Sequence, residues 1–164
     1  MSNAKNLSRY LRKLFHYDCR TGKFTRLINM SSNARVGGIA GGYQNTGYIA
    51  IHVSNTLYLA HRLAWVWMTG KWPSEIDHRN GNRSDNTWAN LRQVTRSVNN
   101  QNQRRAHLNS RTGVLGVAPN GKTSFQANIQ VNGKPHYLGT FRTIEAARAA
   151  YLKAKSELHP GSTI

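Results

Sequence analysis

The sequence is poor in cysteine and contains no long hydrophobic run. Its 164 residues include one cysteine, Cys19, which excludes an intramolecular disulfide framework and any four-cysteine zinc site. No apolar run approaches the roughly 18 residues needed to span a membrane, and no hydrophobic signal-peptide core follows the start. We therefore expect a protein that is not secreted and does not associate with a membrane.

Acidic residues are also scarce. Six Asp and Glu stand against 23 Lys and Arg, which gives a net charge of +17. Such an imbalance disfavours the compact state unless a polyanion shares the surface. The hydrophobic content of 38%, with four Trp, seven Tyr and four Phe, is too high for a disordered basic tail. We expect a folded protein that binds nucleic acid, with a merely soluble basic surface as the alternative. Nothing in the sequence indicates an obligate protein partner.

The first hundred residues alternate between strand and helix patterns. The periodicity and turn signals predict, in chain order, a helix over Leu7–Leu14, a hairpin around Arg20-Thr21-Gly22, a glycine-rich loop over 29–47, strands at Tyr48–Val53 and Thr56–Ala60, and a helix over His61–Met68 that Gly70 ends. A two-stranded ribbon then follows, formed by Ser74–His78 and Leu91–Val94, with a helix over Thr95–Arg105. This part is therefore expected to be rich in short strands.

The sequence pattern changes after a polar linker at residues 107–112, from mixed strands and helices to a run of strands followed by one helix. Three strand candidates follow, Val114–Ala118, Ser124–Val131 and His136–Phe141, separated by Asn120-Gly121 and Asn132-Gly133, and Asn-Gly is the strongest short hairpin signal. Thr143 can cap a helix that runs to Leu158 and ends at Pro160-Gly161. We predict an α+β protein with domains 1–106 and 107–164, the second a three-stranded antiparallel sheet packed on one helix.

The most informative residues surround His78. Asp77 and His78 end an apolar strand and open a loop rich in Asn and Arg; Asn90 follows His78 by 12 residues and Asn99 by 21. Neighbouring strand residues point to opposite faces, so Asp77 and His78 can act on one ion together only where the strand ends or twists. Asp77 and Asn99 offer oxygen ligands suited to Mg²⁺, with His78 facing a water.

Several short motifs in this region resemble the HNH endonucleases of phages and their introns. The resemblance is carried, in order, by Tyr58-Leu59-Ala60-His61-Arg62-Leu63-Ala64-Trp65, Gly70-Lys71-Trp72-Pro73, Ile76-Asp77-His78, Gly81-Asn82-Arg83, Asn90-Leu91-Arg92, and Val94-Thr95 followed by Asn99. It covers residues 58–100 closely. It implies a ββα-metal nuclease module, with a core at about 58–106, and the activity of a homing endonuclease.

The resemblance also implies roles for individual residues. His78 would be the general base, Asp77 and Asn99 would hold one divalent metal ion, Mg²⁺ or Mn²⁺, and Asn90 would clamp the loop through its side-chain amide. The third motif position is Asn99 where many such nucleases have histidine, which leaves the ligand set rich in oxygen. The implied substrate is double-stranded DNA, and the implied location is the cytoplasm of a bacterium or a phage-infected host cell.

The C-terminal part resembles the APETALA2-type DNA-binding domain. The matching motifs are Gly113-Val114, Gly116-Val117, Phe125-Gln126-Ala127, Tyr137-Leu138-Gly139-Thr140-Phe141 and Glu145-Ala146-Ala147-Arg148-Ala149-Ala150-Tyr151. That domain inserts the outer face of its sheet into the major groove. Here Gln126, Asn128 and Gln130 alternate with apolar residues and form one polar face, and Asn and Gln can pair with adenine through two hydrogen bonds. A solvated face is the alternative.

Two functions therefore remain open from the sequence. The first is a metal-dependent DNA endonuclease; the second is a non-catalytic, sequence-specific DNA-binding regulator derived from such a nuclease. Both require the same positive surface. The residues that we expect to contact DNA are the arginines Arg62, Arg79, Arg83, Arg96, Arg104 and Arg105 together with Gln126, Asn128 and Gln130. The complete set of Asp77, His78, Asn90 and Asn99 favours the enzyme, because a simple binding protein has no need of it.

Overall fold

The structure is a computed structural model that describes residues 2–103, 106 and 109–159. Its elements, in chain order, are α1 (Ser2–Leu14), β1 (Phe15–Asp18), β2 (Lys23–Arg26), β3 (Ile39–Ala40), β4 (Gly42–Tyr43), β5 (Ile49–Val53), β6 (Thr56–Leu59), α2 (Ala60–Thr69), β7 (Glu75–His78), β8 (Leu91–Val94), α3 (Arg96–Gln101), β9 (Val117–Asn120), β10 (Ser124–Val131), β11 (Lys134–Phe141) and α4 (Ile144–Leu158). The chain forms two compact units, Met1–Val94 and Thr95–Ile164. The division falls before the predicted linker at 107–112.

The first unit contains three small antiparallel sheets around one hydrophobic core. The sheets have the strand orders β1-β2-β3, β4-β5-β6 and β7-β8. Helices α1 and α2 pack against each other, and Leu11, Phe24, Leu63 and Val66 are almost fully buried in the shared core. Ile76 and Leu91, one from each strand of the β7-β8 ribbon, belong to the same core. Burial of these two side chains fixes which face of the ribbon turns inward.

The second unit contains the predicted sheet and helix. The strands lie in the order β11-β10-β9 and all pair antiparallel. Ala147, Tyr151 and Ala154 of α4 pack on the face of the sheet that carries Ala127 and Ile129. The Thr143 hydroxyl caps α4 by accepting a hydrogen bond from the amide of Ala146 at 3.2 Å. The predicted α+β class, with a strand-rich first part and this sheet-on-helix arrangement, is confirmed.

The tight turn between β10 and β11 follows the sequence signal closely. Asn132 and Gly133 have φ angles of 50° and 79°, so both lie in the left-handed region. Two consecutive residues with positive φ are what a two-residue hairpin turn requires, and Asn-Gly is the pair that adopts it at least cost. The turn sets Val131 opposite Lys134 and so establishes the strand register.

The structure differs from the sequence-based elements in four places. Helix α1 begins at Ser2, not Leu7; the predicted loop over 29–47 contains the short strands β3 and β4; the strand predicted at Val114–Ala118 lies at Val117–Asn120; and α3 ends at Gln101. Two-residue strands are too short for any alternation to reveal them. Pro160-Gly161 lies outside the described residues. Within the described part of the chain, no helix has the length and apolar character required to cross a membrane.

Candidate functional site

The predicted centre lies where β7 ends and the loop of residues 79–90 begins. Asp77 and His78 are the last two residues of β7, and their exposed fractions are only 6% and 4%. Asp77 lies opposite Arg92 and His78 opposite Leu91 in the antiparallel register with β8. Ile76 is anchored in the core, and along β7 His78 lies on the same face as Ile76, whereas Asp77 lies on the opposite face.

Asp77 forms an ion pair with its cross-strand neighbour. Its Oδ2 atom lies 2.7 Å from Nη2 and 2.8 Å from Nε of Arg92. A carboxylate this deeply buried requires a compensating positive charge, which Arg92 supplies across the ribbon. This ion pair defines the orientation of the Asp77 carboxylate.

The imidazole of His78 is enclosed by polar and aromatic side chains. Its Nε2 atom lies 3.2 Å from Oδ1 of Asn86, which is 1% exposed. The rings of His61 and Tyr48 lie 5.0 and 6.0 Å away, centroid to centroid. Burial lowers the pKa of His78, and the hydrogen bond with Asn86 and the charge of Asp77 oppose this only in part. The ring is therefore neutral at pH 7, the state in which a histidine can accept a proton.

Acidification from pH 7 to pH 5 is expected to destabilise the protein through His61. Burial, followed by the charges of His78 and Arg62, lowers the pKa of His61 from 6.5 to about 3. In the unfolded chain the same ring is protonated below pH 6.5, so the unfolded state binds more protons in this window. Each pH unit below 6.5 then lowers the free energy of unfolding by up to about 1.4 kcal/mol. His61→Gln should flatten the decline in Tm measured by circular dichroism at pH 7, 6 and 5; equal declines in both proteins would contradict this.

Asn90 connects the two ends of the loop. Its Oδ1 atom accepts a hydrogen bond from the amide of Asn80 at 3.0 Å, and its Nδ2 atom donates to the carbonyl of Asp85 at 2.8 Å. Its backbone carbonyl also accepts from the amide of Arg79 at 2.9 Å. These bonds join the start of the loop, its middle and the strand β8 that follows. A side chain shorter than Asn90 would lose two of the three.

The carboxylate of Asp85 also stabilises the loop through hydrogen bonds. It accepts hydrogen bonds from Asn80 Nδ2 at 2.7 Å and from Thr87 Oγ1 at 2.8 Å. Desolvation acts against the charged form of Asp85, but the hydrogen bonds from Thr87 and Asn80 outweigh it and lower its pKa. The loop therefore contains an ionised carboxylate whose bonds hold the backbone close to His78.

The arginines predicted to contact DNA have different surroundings. Arg83 is exposed, donates to the carbonyl of Thr46 at 2.9 Å and lies over the Tyr48 ring at 5.0 Å. Arg62 donates to the carbonyl of Pro73 at 2.7 Å and lies over the Trp72 ring. Arg79 and Arg96 are exposed. Arg104 and Arg105 lie outside the described residues.

The remaining predicted residues belong to the second unit. Asn99 lies on α3, whose first turn is capped by the Thr95 hydroxyl, which accepts from the amide of Val98 at 3.3 Å. Gln126, Asn128 and Gln130 alternate with the buried Ala127 and Ile129 along β10, and so share the face turned away from α4. The structure thus brings Asp77, His78 and Asn90 together in the first unit, whereas Asn99 and the glutamine-asparagine face belong to the second.

The donor chemistry fits a hard divalent cation. Asp77 offers a carboxylate, a ligand type that Mg²⁺ and Mn²⁺ bind. Asn99, which carries an amide oxygen, belongs to the second unit. Within residues 2–103, 106 and 109–159, no group of three or more His, Cys, Asp and Glu side chains is placed to hold a metal. Mg²⁺ characteristically keeps several waters and binds substrate phosphates alongside one or two protein ligands, so a small oxygen set suffices.

Sequence reasoning missed three residues of this site. The sequence patterns place Asn86 among the polar loop residues, His61 at the start of a helix and Tyr48 at the start of a strand, and they assign none of the three to the site of His78. All three contact His78. For His61, the one available signal was its place in the motif at residues 58–65, which ends 13 residues before His78. For Tyr48 and Asn86 the sequence carries no signal of contact.

Comparisons with known proteins agree with this location. Residues 58–101 match the family model described as HNH endonuclease. No curated protein and no solved structure matches the chain. The matched stretch begins in β6 and ends with α3, and it contains Asp77, His78, Asn90 and Asn99. Residues 58–101 are therefore similar to an HNH endonuclease domain, which indicates a nuclease that acts on DNA.

Proposed function

We propose that this protein is a metal-dependent DNA endonuclease of the HNH homing type, in which His78 is the general base. The observation that carries the proposal is a buried histidine, whose pKa is lowered by burial, next in sequence to a buried carboxylate, inside the stretch similar to HNH endonucleases. A neutral imidazole near pH 7 can take a proton from water. The resulting hydroxide attacks the phosphorus in line, and the 3′ oxygen of the neighbouring sugar leaves with the bonding electron pair and takes a proton from solvent. The products are a 5′ phosphate and a 3′ hydroxyl.

The other residues of the site have supporting roles in this proposal. Asp77 and Asn99 would hold one divalent ion, Mg²⁺ or Mn²⁺, which when bound stabilises negative charge that develops on the phosphate. Arg92 orients the Asp77 carboxylate through their ion pair. Asn90 holds the loop closed through its three hydrogen bonds. Each of these interactions would preorganise the site: the charged groups and the general base His78 would already be in position before DNA binds.

The arginines would supply affinity for the DNA backbone. Arg62, Arg79, Arg83 and Arg96, with Arg104 and Arg105, are the proposed phosphate contacts, because guanidinium groups bind phosphate through paired hydrogen bonds. A net charge of +17 favours association with double-stranded DNA and makes it dependent on salt. We place this activity in the cytoplasm of a bacterium or a phage-infected cell.

We further propose that residues 1–106 form the DNA-contacting region with the nuclease module, and that 107–164 form an APETALA2-like recognition domain. The support is the polar outer face of its sheet. Gln126 pairs with Thr140 and Asn128 with Tyr137 in the strand register. The Thr140 hydroxyl also accepts from Asn120 Nδ2 at 3.0 Å and lies 2.6 Å from the Tyr137 hydroxyl. This face presents side chains that can form hydrogen bonds with base edges.

Removing the polar face should change target choice more than cleavage. The triple variant Gln126→Ala, Asn128→Ala and Gln130→Ala is expected to cleave DNA still, because the nuclease residues are intact. Each lost base contact should cost about 1–3 kcal/mol of discrimination between target and random sequence. The measurement is cleavage of a selected target against a scrambled competitor. Lys153→Ala, on the exposed side of α4, is the control and should change affinity slightly without changing preference. An unchanged preference in the triple variant would contradict the recognition role.

The proposed activity is tested against the binding-only alternative with an end-labelled DNA duplex. The duplex is incubated with the full chain in Mg²⁺, or in EDTA, and bound and cut fractions are measured in parallel. The proposal predicts binding in both conditions and cutting only with Mg²⁺. It also predicts that the new 3′ ends are hydroxyls that a polymerase extends directly. Stable binding without cutting under any divalent ion would favour the DNA-binding regulator.

A further inference from the structure

Asn86 contacts the imidazole of His78 at one of its two ring nitrogens. A neutral imidazole has one N–H donor and one acceptor nitrogen, and the partner at one nitrogen decides which is which. Oδ1 of Asn86 can only accept, and it lies 3.2 Å from Nε2 of His78 in a buried position. With this acceptor as its partner, Nε2 is the nitrogen that would carry the proton of neutral His78, which would leave the lone pair on Nδ1.

Asn86 is unfavourable in terms of stability alone. Its side chain is 1% exposed, and its Nδ2 atom is buried without a hydrogen-bond partner in the described structure. A buried donor left unsatisfied costs free energy that an apolar residue would not. The contact with His78 is the hydrogen bond of this side chain that the structure contains. The orientation of His78 accounts for a polar residue at this place.

The N-terminal hairpin, β1–β2, holds the backbone of Asn86. The Tyr17 hydroxyl donates to the Asn86 carbonyl at 2.6 Å in a buried position, and the amide of Trp88 donates to the Cys19 carbonyl at 2.9 Å. Gly22 has a φ of 70° and lies directly against the Asn86–Thr87 peptide, where an added Cβ would come within 2.4 Å of the Asn86 carbonyl carbon. The hairpin thus contacts the Asn86–Thr87 peptide through the Tyr17 side chain and Gly22, and the next peptide, at Trp88, through a backbone carbonyl.

The His78 ring has little freedom to turn away from Asn86. The His61 ring meets it edge to face, with centroids 5.0 Å apart and an interplanar angle of 81°, and Tyr48 lies at 6.0 Å. His61 and Tyr48 are themselves in contact at 5.1 Å. These two rings pack against the imidazole of His78. A 180° rotation of the ring about its Cβ–Cγ bond, which would put Cε1 in place of Nε2 beside Asn86, would have to displace this packing.

We propose that Asn86 is a positioning residue that fixes His78 as the Nε2–H tautomer, with Nδ1 as the basic nitrogen, and that the β1–β2 hairpin holds Asn86 in place through Tyr17. The hairpin lies outside the residues 58–101 that match the HNH endonuclease family model. The consequence for catalysis rests on the proposed function, because it takes His78 as the general base. The tautomer itself does not depend on that function, and it can be measured without DNA.

The test is ¹⁵N NMR of the histidine rings in the full-length protein at pH 8. The ring signals of His78 are identified by their loss in His78→Ala. The two ring nitrogens of a neutral imidazole differ strongly in shift according to which carries the proton, so the spectrum reports the tautomer directly. The expected result is Nε2–H in the wild type, a mixture of tautomers in Asn86→Ala, and Nε2–H again in Asn86→Asp, which retains the acceptor oxygen.

The same variants are assayed for cleavage under single-turnover conditions. Asn86→Ala should lower the cleavage rate by about 10- to 100-fold with unchanged DNA affinity, the usual loss when a group that orients a functional histidine is removed. Tyr17→Phe removes only the hydroxyl that holds Asn86, and should shift part of the tautomer population and lower the rate by a smaller factor. Tyr10→Phe is the matched control: it also removes a hydroxyl, one that lies 3.2 Å from Ser54 Oγ, and it should change neither quantity.

The outcomes separate this proposal from the proposed function. Nδ1–H in the wild type, or the same tautomer in wild type and Asn86→Ala, overturns the role of Asn86. Identical spectra for Tyr17→Phe and wild type overturn the role of the hairpin, and this variant decides that point even if Asn86→Ala does not fold. Nε2–H in a protein that cuts no DNA would retain the positioning of His78 and reject the nuclease.

Discussion

Replacing His78 by alanine is expected to abolish most DNA cleavage while leaving DNA affinity nearly unchanged. Removal of a general base typically lowers a rate by about 10²–10⁴. Binding depends instead on many phosphate contacts spread over a chain of net charge +17, to which a buried neutral histidine contributes no charge. Cleavage is measured as a single-turnover rate, and affinity by gel retardation in EDTA at fixed salt.

The control for this experiment is an exposed histidine on the same unit. His52 lies on β5 with its side chain at the surface, so His52→Ala removes an imidazole without opening a cavity. It should cleave at the wild-type rate. Loss of activity in both variants would show that cleavage is sensitive to histidine removal in general, and wild-type cleavage by His78→Ala would remove His78 from the role of base. A thermal melt of each variant excludes unfolding as the cause.

Replacing Asp77 by asparagine is expected to raise the Mg²⁺ concentration needed for half-maximal cleavage by about 10-fold or more. The change replaces an anionic oxygen ligand by a neutral one of nearly the same size, and Mg²⁺ binds carboxylates in preference to amides. High Mg²⁺ should therefore recover part of the rate. The measurement is a Mg²⁺ titration of the cleavage rate, repeated with Mn²⁺.

The ion pair with Arg92 requires its own control. Asp77→Asn also removes the partner of Arg92, so part of any defect will come from lost stability. Arg92→Gln breaks the same ion pair but retains the carboxylate. We expect it to lower Tm at least as much as Asp77→Asn, without the large increase in the Mg²⁺ requirement. If the two variants shift the titration equally, Asp77 acts through the ion pair and is not a metal ligand.

Local patterns predicted the parts of the fold that depend on neighbours in the chain. The Asn132-Gly133 turn, the alternation along β10 and the capped helix α4 each follow from residues within a few positions of one another. The β7-β8 ribbon was also predictable, because apolar residues flank a polar loop. The strands β3 and β4 could not be predicted, because two residues are too few to show a periodic pattern. They form strands because they pair with β2 and β5, respectively.

The surroundings of the candidate site depend on contacts that are distant in sequence. Tyr17 and Asn86 are 69 positions apart, and His61 meets His78 across two elements. The spacing of Asp77, His78 and Asn90 predicts a site at these residues, but no local pattern specifies which side chain contacts the imidazole. The same limit applies to the ion pair of Asp77 with Arg92, since it depends on the register between β7 and β8. Packing of the core, through Ile76 and Leu91, establishes that register.

The central claim is that the site around His78 cuts DNA, and conversion of supercoiled plasmid tests it most directly. The purified full chain is incubated with plasmid in Mg²⁺, in Mg²⁺ followed by excess EDTA, and in parallel with His78→Ala at a concentration that binds the same fraction of plasmid. The account predicts nicked or linear plasmid only for the wild type with Mg²⁺ available. Plasmid that stays supercoiled with the wild type, or is cut equally by His78→Ala, would contradict it.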